Sequence, residues 1–150
     1  MAEKPPGRVA LLSIHPRHAE AILDGRKLVE LRRTRLSPDT THVIIYATAP
    51  VKAVVGFFEV DGIAEGSKSA IWKAYREVCG VTRREYMGYF DGAKRAFAIR
   101  VVRPRRYGEP FAVHELPAVT RPPQSYRYLA AVAARRALGD RALRSAEEVC

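Results

Sequence analysis

The sequence predicts an α+β fold in which a small, mostly antiparallel β-barrel is flanked by helices. Segments rich in β-branched and aromatic residues follow one another without regular intervening helices, which argues against a doubly wound parallel sheet. Two of these segments, at residues 42–49 and 51–63, are separated by Pro50 and predict an antiparallel pair. Short strands in a small protein also leave exposed edges, and closure into a barrel hides them.

The first part of the chain predicts a strand, a short helix and a second strand. Residues 8–14 (RVALLSI) form an apolar run that is typical of a buried strand. Residues 15–27 (HPRHAEAILDGRK) predict a helix, because Pro16 suits a first turn and Gly25 can end the helix. Residues 27–33 (KLVELRR) predict a strand with mixed faces.

The second part predicts two short helices, another strand and a final helix. Helical spacing covers residues 67–79, and residues 82–85 (TRRE) fit a capping box at the start of a second helix. Residues 96–102 alternate as strands do, and a turn-rich connection is expected over 104–123. Residues 126–138 are rich in alanine and predict the last helix.

Length and composition favour one domain. The chain has 150 residues, of which 47% are hydrophobic and 28% charged. We expect a flexible lead-in at 1–8, a domain at 9–138, and a tail or helical extension at 139–150. The apolar runs are far shorter than the roughly 20 residues of a membrane-spanning helix. The start, MAEKPPGR, lacks the apolar centre of a signal peptide, so a cytoplasmic protein without membrane contact is expected.

The two cysteines, Cys79 and Cys150, are too few for a disulfide framework or a four-thiolate metal site. Each is expected to be a free thiol. The His15–His18 pair is not joined by a cluster of cysteines or carboxylates. We therefore expect neither a metal nor a cofactor.

The charge predicts an anionic partner. Twenty-six basic residues against 16 acidic ones give a net charge of +10, and nucleic acid is favoured over membrane because the basic residues lie within folded-looking segments. The densest run is 94–106 (KRAFAIRVVRPRR), which includes Arg95, Arg103 and Arg105 and no acidic residue. This run is expected to attract the partner over a distance. Charge that serves solubility, or that meets an acidic protein partner, is the alternative.

The segment 24–33 (DGRKLVELRR) is the most unusual in the chain. Strand alternation places Glu30 and Arg32 on one face, where a carboxylate and a guanidinium can hold a ligand together. Strict alternation puts Lys27 on the opposite face. Lys27 and Glu30 converge only if the strand begins after Lys27, or if a twist or bulge follows Gly25. A solvated outer face with a surface ion pair is the alternative interpretation.

The stretch SIHPRHAEAILDGRKLVELRR resembles the ASCH domain, a PUA-like β-barrel family whose motif reads approximately G-x-K-x-x-E-x-R. Gly25, Lys27, Glu30 and Arg32 occupy the motif positions. The resemblance extends through IYATAPVKAVVGFFEVDGI, GVTRREYMGYFDGAKRAFAIRV and PPQSYRYL, so that it covers most of residues 9–130. It implies a barrel flanked by helices, a cleft lined by the motif strand and the preceding helix, and binding of RNA or other nucleic acid.

The leading hypothesis is a protein that accepts a nucleotide or a single strand of RNA or DNA in this cleft. Single strands are favoured over duplex because no helix-turn-helix recognition helix is found. The residues expected to contact nucleic acid are His15, Lys27, Glu30, Arg32, Arg33, Arg95, Arg103, Arg105, Ser125 and Tyr126. Ser125 suits the N-cap of the final helix, where its hydroxyl and the helix N-terminus would receive a phosphate. Tyr126 or Tyr128 would stack on a base.

The alternative is a hydrolase, either a ribonuclease or an amidohydrolase acting on a modified nucleoside. The resemblance implies this because some family members have these activities. The amidohydrolases use the motif lysine, a threonine three positions later and a separate glutamate. Here Glu30 stands at the threonine position, and the separate acid would be Glu77 or Glu85. Glu30 would then serve as a general base while Lys27 stabilises developing negative charge.

Overall fold

The computed structural model describes residues 6–140, and within them the chain forms one sheet with flanking helices. The strands are Arg8–Ile14 (β1), Val29–Arg32 (β2), Thr40–Ala47 (β3), Ala53–Gly66 (β4), Ala96–Phe111 (β5) and Tyr126–Tyr128 (β6). The α-helices are Pro16–Leu23 (α1), Lys68–Tyr75 (α2), Arg83–Tyr89 (α3) and Ala131–Arg135 (α4). A 3₁₀ turn covers Val113–Glu115, and a π-helical turn covers Arg136–Asp140.

The sheet confirms the predicted fold class. Its strand order is β2-β5-β4-β3-β1-β6. β1 and β3 run parallel, whereas the other neighbouring pairs are antiparallel. Bulges bend the long β4–β5 pair, and the sheet curls so that its edge strands β2 and β6 come within side-chain reach. Arg32 Nη2 at the end of β2 donates to Ser125 Oγ, just before β6, at 2.5 Å. This contact joins the two edges of the curled sheet.

Strand alternation divides the core into layers on the two faces of the sheet. Leu11 and Phe57 face one buried cluster, which Ala133 of α4 covers. Leu12 and Phe58 face the other, against which α1 packs. A third cluster joins β2 and β5 to α2 and α3. This third cluster holds α3 over β2, at the side of the sheet where the motif strand lies.

The elements before residue 33 follow the sequence closely. The first strand has the predicted bounds, α1 begins at Pro16, and Gly25 follows it with a φ of +80°. The motif strand, however, begins at Val29 and not at residue 27. Lys27 belongs to the loop, where its N–H donates to Ala21 O of α1 at 3.0 Å. The strand therefore begins after Lys27, which is the condition under which the side chains of Lys27 and Glu30 can converge.

The predicted turn-rich connection at 104–123 is wrong in its first part, because β5 continues to Phe111. The strand passes Pro104 through a bulge: Phe57 pairs with Arg105 and Glu59 pairs with Val102. Arg103 and Pro104 therefore oppose a single residue of β4, and Arg103 has a φ of 47°. A bulge is a place where a strand tolerates a proline without losing its pairing on either side.

The predicted helix at 126–138 is also wrong at its start. Tyr126 and Tyr128 lie in β6, which pairs antiparallel with β1, and α4 begins only at Ala131 with Ala130 as its N-cap. Pairing with the free edge of β1 outweighs the helical preference of the alanine-rich segment that follows. Ser125 is therefore not a helix cap, and the expected phosphate site at a helix N-terminus does not exist there.

Parts of the expected lead-in and tail lie outside the described residues, namely 1–5 and 141–150, and Cys150 with them. Cys79 is a buried free thiol. Over residues 6–140, none of the helices is long and apolar enough to cross a membrane.

Candidate functional site

A pocket of about 410 Å³ lies between the end of β1, helix α1, strand β2 and helix α3. We call it the central pocket. The residues that line it are Ser13, Ile14, His15, His18, Lys27, Glu30, Leu31, Arg32, Val81, Glu85, Tyr86 and Tyr89. Its size lies within the range of roughly 300–1,000 Å³ that is common for ligand sites.

Strand β2 supplies an ion pair to the central pocket. Glu30 Oε2 lies 3.2 Å from Arg32 Nη1, and the two side chains are only 8% and 11% exposed. The surface-pair interpretation is therefore wrong. A pair so far removed from water is costly unless its remaining polar groups are also bonded. Arg32 meets this condition through Ser125, whose Oγ and carbonyl oxygen both accept from Nη2.

Lys27 joins this pair from the loop before β2. It is 2% exposed, and its Nζ donates to the carbonyl oxygen of Cys79. Burial lowers the pKa of Lys27, and the negative charge of Glu30 opposes that shift. Lys27 and Glu30 both line the central pocket, as the motif spacing predicted for a strand that begins after Lys27. The pocket thus holds a carboxylate next to two cations.

Helix α1 begins at the central pocket and contributes two histidines. His15 is the N-cap residue, with Nδ1 accepting from the N–H of Arg17 at 3.3 Å. His18, one turn on, is half-buried. Burial, with the nearby charges of Lys27 and Arg17, lowers the pKa of His18 to about 4. The imidazole of His18 is therefore neutral near pH 7 and able to accept a proton or a hydrogen bond.

Helix α3 forms the opposite wall of the central pocket. Its predicted capping box is present, with Thr82 Oγ1 accepting from Glu85 N at 3.2 Å and Glu85 Oε1 accepting from Thr82 N at 2.9 Å. The backbone N–H of Thr82 and the guanidinium of Arg17 lower the pKa of Glu85 to about 2. The Arg17–Glu85 contact, at 2.5 Å, ties α3 to α1.

Tyr89, at the end of α3, is an aromatic side chain at the mouth of the central pocket. From the sequence alone, packing is the expected role of Tyr86, Tyr89 and Phe90 alike, because all three lie in or beside the predicted second helix. Tyr86 and Phe90 are indeed buried, but Tyr89 is 43% exposed. Three-residue spacing puts Tyr86 and Tyr89 on neighbouring sides of the helix. This spacing was the sequence signal that the two rings lie on different sides of α3, although it did not show which ring faces solvent.

Two further predicted residues, Arg33 and Ser125, lie near the rim of the central pocket, and Tyr126 follows Ser125 in β6. Arg33 is exposed and its Nη1 donates to the carbonyl oxygen of Tyr89 at 3.3 Å. Ser125 is exposed and touches the pocket through Arg32. Tyr126 is half-buried in β6, where its ring meets that of Tyr128 at 5.5 Å between centroids. The rim therefore combines a cation and a hydroxyl, whereas the ring of Tyr126 packs along β6.

The predicted residues of the basic run lie outside the central pocket. Arg95 pairs with Glu65 at 3.4 Å, and Arg103 Nε pairs with the buried Glu59 at 2.5 Å. Arg105 lies beside Phe57 in the β4–β5 pair. Their contact with nucleic acid stays a prediction, and their positions fit attraction over a distance better than contact within the pocket. No group of three or more His, Cys, Asp or Glu is arranged to hold a metal among residues 6–140.

A curled, mostly antiparallel sheet with a charged pocket between an edge strand and two helices defines a small domain of the PUA-like class. An ASCH domain-containing ribonuclease from Zymomonas mobilis is 34% identical over 132 residues, which are 86% of this chain and 89% of the relative. The chain therefore belongs to the ASCH domain family. No protein-family model matches it.

Solved structures agree with this assignment. The ASCH protein of Zymomonas mobilis superposes with a TM-score of 0.79 and 31% identity, covering 85% of this chain and 92% of that one. A serine-to-alanine variant of it gives a TM-score of 0.79 and 30% identity, covering 89% and 96%.

Proposed function

We propose that this ASCH domain binds RNA, with one unstacked nucleotide of a single strand held in the central pocket. The observation that carries the proposal is that two cations, Lys27 and Arg32, and an exposed ring, Tyr89, line one cavity of nucleotide size. Cationic N–H groups bind phosphate oxygens strongly, and aromatic rings stack on bases of any kind. Glu30 would accept a hydrogen bond from a base or a ribose hydroxyl.

The cations have donors left for a ligand. Arginine carries five N–H donors, and the contacts of Arg32 to Glu30 and Ser125 use three of them. Lysine carries three, and Lys27 gives one to Cys79. A bound phosphate would take the remaining donors without breaking the ion pair. This supports phosphate binding at a site that is already formed.

RNA in single-stranded form fits this cavity better than duplex does. The bases of a duplex are stacked and paired, whereas unpaired bases can be splayed into a pocket and held against an aromatic side chain. The Zymomonas mobilis relative is named a ribonuclease, which favours RNA over DNA for this chain as well.

Fluorescence anisotropy with labelled single-stranded RNA, single-stranded DNA and duplex RNA tests the binding. Single-stranded RNA should bind most tightly, and Tyr89→Ala should weaken it by about 1–3 kcal/mol, the usual loss when one stacking partner is removed. Tyr89→Phe keeps the ring and is the matched control. Equal binding of duplex RNA, or full affinity in Tyr89→Ala, would contradict the proposal.

Cleavage of the bound RNA is a second candidate function, favoured by the relative's name and by the position of Glu30 between two cations. Glu30 would take the proton of a ribose 2′-hydroxyl, whose oxygen attacks the adjacent phosphorus as the bond to the 5′ oxygen breaks. The proton taken up by Glu30 is passed on through water to the departing 5′ oxygen, which leaves a 2′,3′-cyclic phosphate and a 5′-hydroxyl. Lys27 and Arg32 would stabilise the negative charge that grows on the phosphate oxygens.

Denaturing gels and end-group analysis of the same RNA test the cleavage. Glu30→Gln should abolish shortened products while most of the binding remains, and DNA, which lacks the 2′-hydroxyl, should stay intact. Glu109→Gln alters an exposed glutamate outside the central pocket and is the control. RNA that stays intact across pH 5–9, or cleavage that survives in Glu30→Gln, would refute this second function while leaving the binding proposal in place.

A further inference from the structure

A second depression adjoins the central pocket. It has a volume of about 440 Å³ and shares the walls formed by His18, Val81 and Glu85. We call it the flanking groove and define it by Arg17, Arg26, Arg76 and Gly80, which line it. Because walls are shared, the two depressions lie side by side.

Three arginines from different parts of the chain meet at the flanking groove. Arg17 belongs to α1, Arg26 follows that helix, and Arg76 is the C-cap residue of α2. Their side chains are 55%, 65% and 58% exposed, so their guanidinium groups can be reached from solvent. Arginine is well suited to phosphate because its planar fork matches two oxygens at once.

The acids near these arginines leave the groove able to bind an anion. Glu85 has both oxygens occupied, one by Thr82 N and the other by Arg17. Arg26 meets Asp24 through one atom at 3.0 Å, and Arg76 meets Glu77 at 3.6 Å. Exposed pairs of this kind contribute only about 0–1 kcal/mol, so a phosphate can displace them.

Gly80 lies at the boundary between the two depressions. Its φ is +72°, and a Cβ built there would lie 3.3 Å from side-chain carbons of Lys27. The residue therefore combines a left-handed backbone with close packing on a lysine that lines the central pocket.

We infer that the flanking groove is a phosphate subsite for the part of an RNA strand next to the nucleotide in the central pocket. The inference rests on the proposed RNA binding and deepens it: the ligand is a strand of several nucleotides and not a free nucleoside. Arg26 and Arg76 hold backbone phosphate, while His18 and Gly80 form the surface that the strand crosses.

Affinity as a function of RNA length tests the inference. Wild-type protein should bind an oligonucleotide of 6–8 residues much more tightly than a mononucleotide. Arg26→Ser with Arg76→Ser should weaken oligonucleotide binding by roughly tenfold or more, as expected when hydrogen bonds to charged groups are lost. The slope of log affinity against log salt should become shallower by about 1.4, since each phosphate contact on a single strand contributes roughly 0.7. Mononucleotide binding should not change.

Two comparison variants show whether the effect depends on the position of the arginines or only on the charge that they carry. Arg35→Ser with Arg135→Ser removes the same charge from exposed arginines outside both depressions and should have a smaller effect. Arg26→Lys with Arg76→Lys restores the charge and should recover most of the salt slope. If wild-type binds both ligands equally, or the serine variant keeps its slope and oligonucleotide affinity, the flanking groove is not a subsite. Absence of binding to RNA of any length would instead refute the proposed function, and this inference with it.

Discussion

Arg32 is the side chain on which both the fold and the central pocket depend. It pairs with the buried Glu30 inside β2 and reaches across to Ser125 before β6, so it links the two edge strands. Its removal would leave Glu30 as a buried charge whose remaining cationic neighbour is Lys27. This makes the motif arginine a structural residue as well as a candidate ligand contact.

We predict that Arg32→Met lowers the free energy of unfolding by about 3 kcal/mol, because breaking a buried ion pair strands its partner. Ser125→Ala, which leaves the Ser125 carbonyl oxygen and Glu30 in place, should cost about 1 kcal/mol. Urea unfolding measures both. In the double variant Glu30→Gln, Arg32→Met, part of the loss should return, since the carboxylate that Arg32 neutralised is also removed. A double variant less stable than Arg32→Met would contradict this account of the pair.

His18 makes stability depend on pH in a window set by its own titration. Its pKa is about 4 in the folded chain and 6.5 ordinarily, so the unfolded chain binds the proton more readily. The stabilisation is therefore present above pH 6.5 and is lost as the pH falls toward 4.

We predict that the free energy of unfolding falls by roughly 1 kcal/mol between pH 7.5 and pH 5 because of His18, a value reduced for its partial exposure to solvent. Glu85, with a pKa of about 2, loses its contribution only as the pH falls below 4.5, so it does not interfere in this range. Urea unfolding at the two pH values should show a smaller difference in His18→Gln. An unchanged pH dependence in that variant would show that another group is responsible.

Helix α3 depends on its N-terminal cap, because seven residues are too few to be helical on intrinsic preference. The capping box joins Thr82 to Glu85, and Arg17 extends it to α1. A change at this cap should therefore affect a whole wall of the central pocket, including Tyr89.

We predict that Thr82→Ala lowers the free energy of unfolding by about 1 kcal/mol, the usual cost of losing an N-cap. Amide exchange over residues 86–90 should become faster than elsewhere in the chain. Thr82→Ser retains the hydroxyl and should behave like the wild type. A uniform loss of exchange protection across the sheet would mean that the cap supports the whole fold and not α3 alone.

The local sequence pattern was sufficient to predict those elements whose structure agrees with their tertiary contacts. β1 has the predicted bounds because its apolar run is buried on both faces, and the TRRE string predicted the α3 cap directly. β6 was missed because its three residues form a strand only by pairing with β1. The bulge at Arg103 and Pro104 was missed for the same reason, since it depends on β4.

The residues of the candidate site also fall into those that the local sequence predicts and those that depend on distant contacts. The motif spacing identified Lys27, Glu30 and Arg32, which lie within six residues of one another and converge once the strand begins at Val29. The pocket positions of His18 and Tyr89 could not be read from local pattern. They depend on the packing of α3 against α1. The Arg17–Glu85 contact, which joins these helices, links residues that are 68 positions apart in the sequence.

The net charge of +10 acts on a nucleic-acid partner before any contact is made. Arginines of the basic run form ion pairs with acids of the neighbouring strand β4, as Arg95 does with Glu65 and Arg103 with Glu59. Arg33, by contrast, lies at the rim of the central pocket beside Tyr89. We therefore expect these arginines to influence different steps of RNA binding.

We predict that Arg95→Glu slows the association of single-stranded RNA several-fold at low salt and leaves its dissociation rate unchanged, because a distant charge acts mainly on diffusional encounter. Arg33→Glu should instead raise the dissociation rate, since it puts a carboxylate beside the bound strand. Stopped-flow measurements at two salt concentrations separate the two rates. The effect of Arg95→Glu should fade at the higher salt, where the Debye length shrinks. If Arg95→Glu accelerates dissociation as strongly as Arg33→Glu does, then Arg95 touches the RNA directly, and the bound strand must extend well beyond the central pocket along β5.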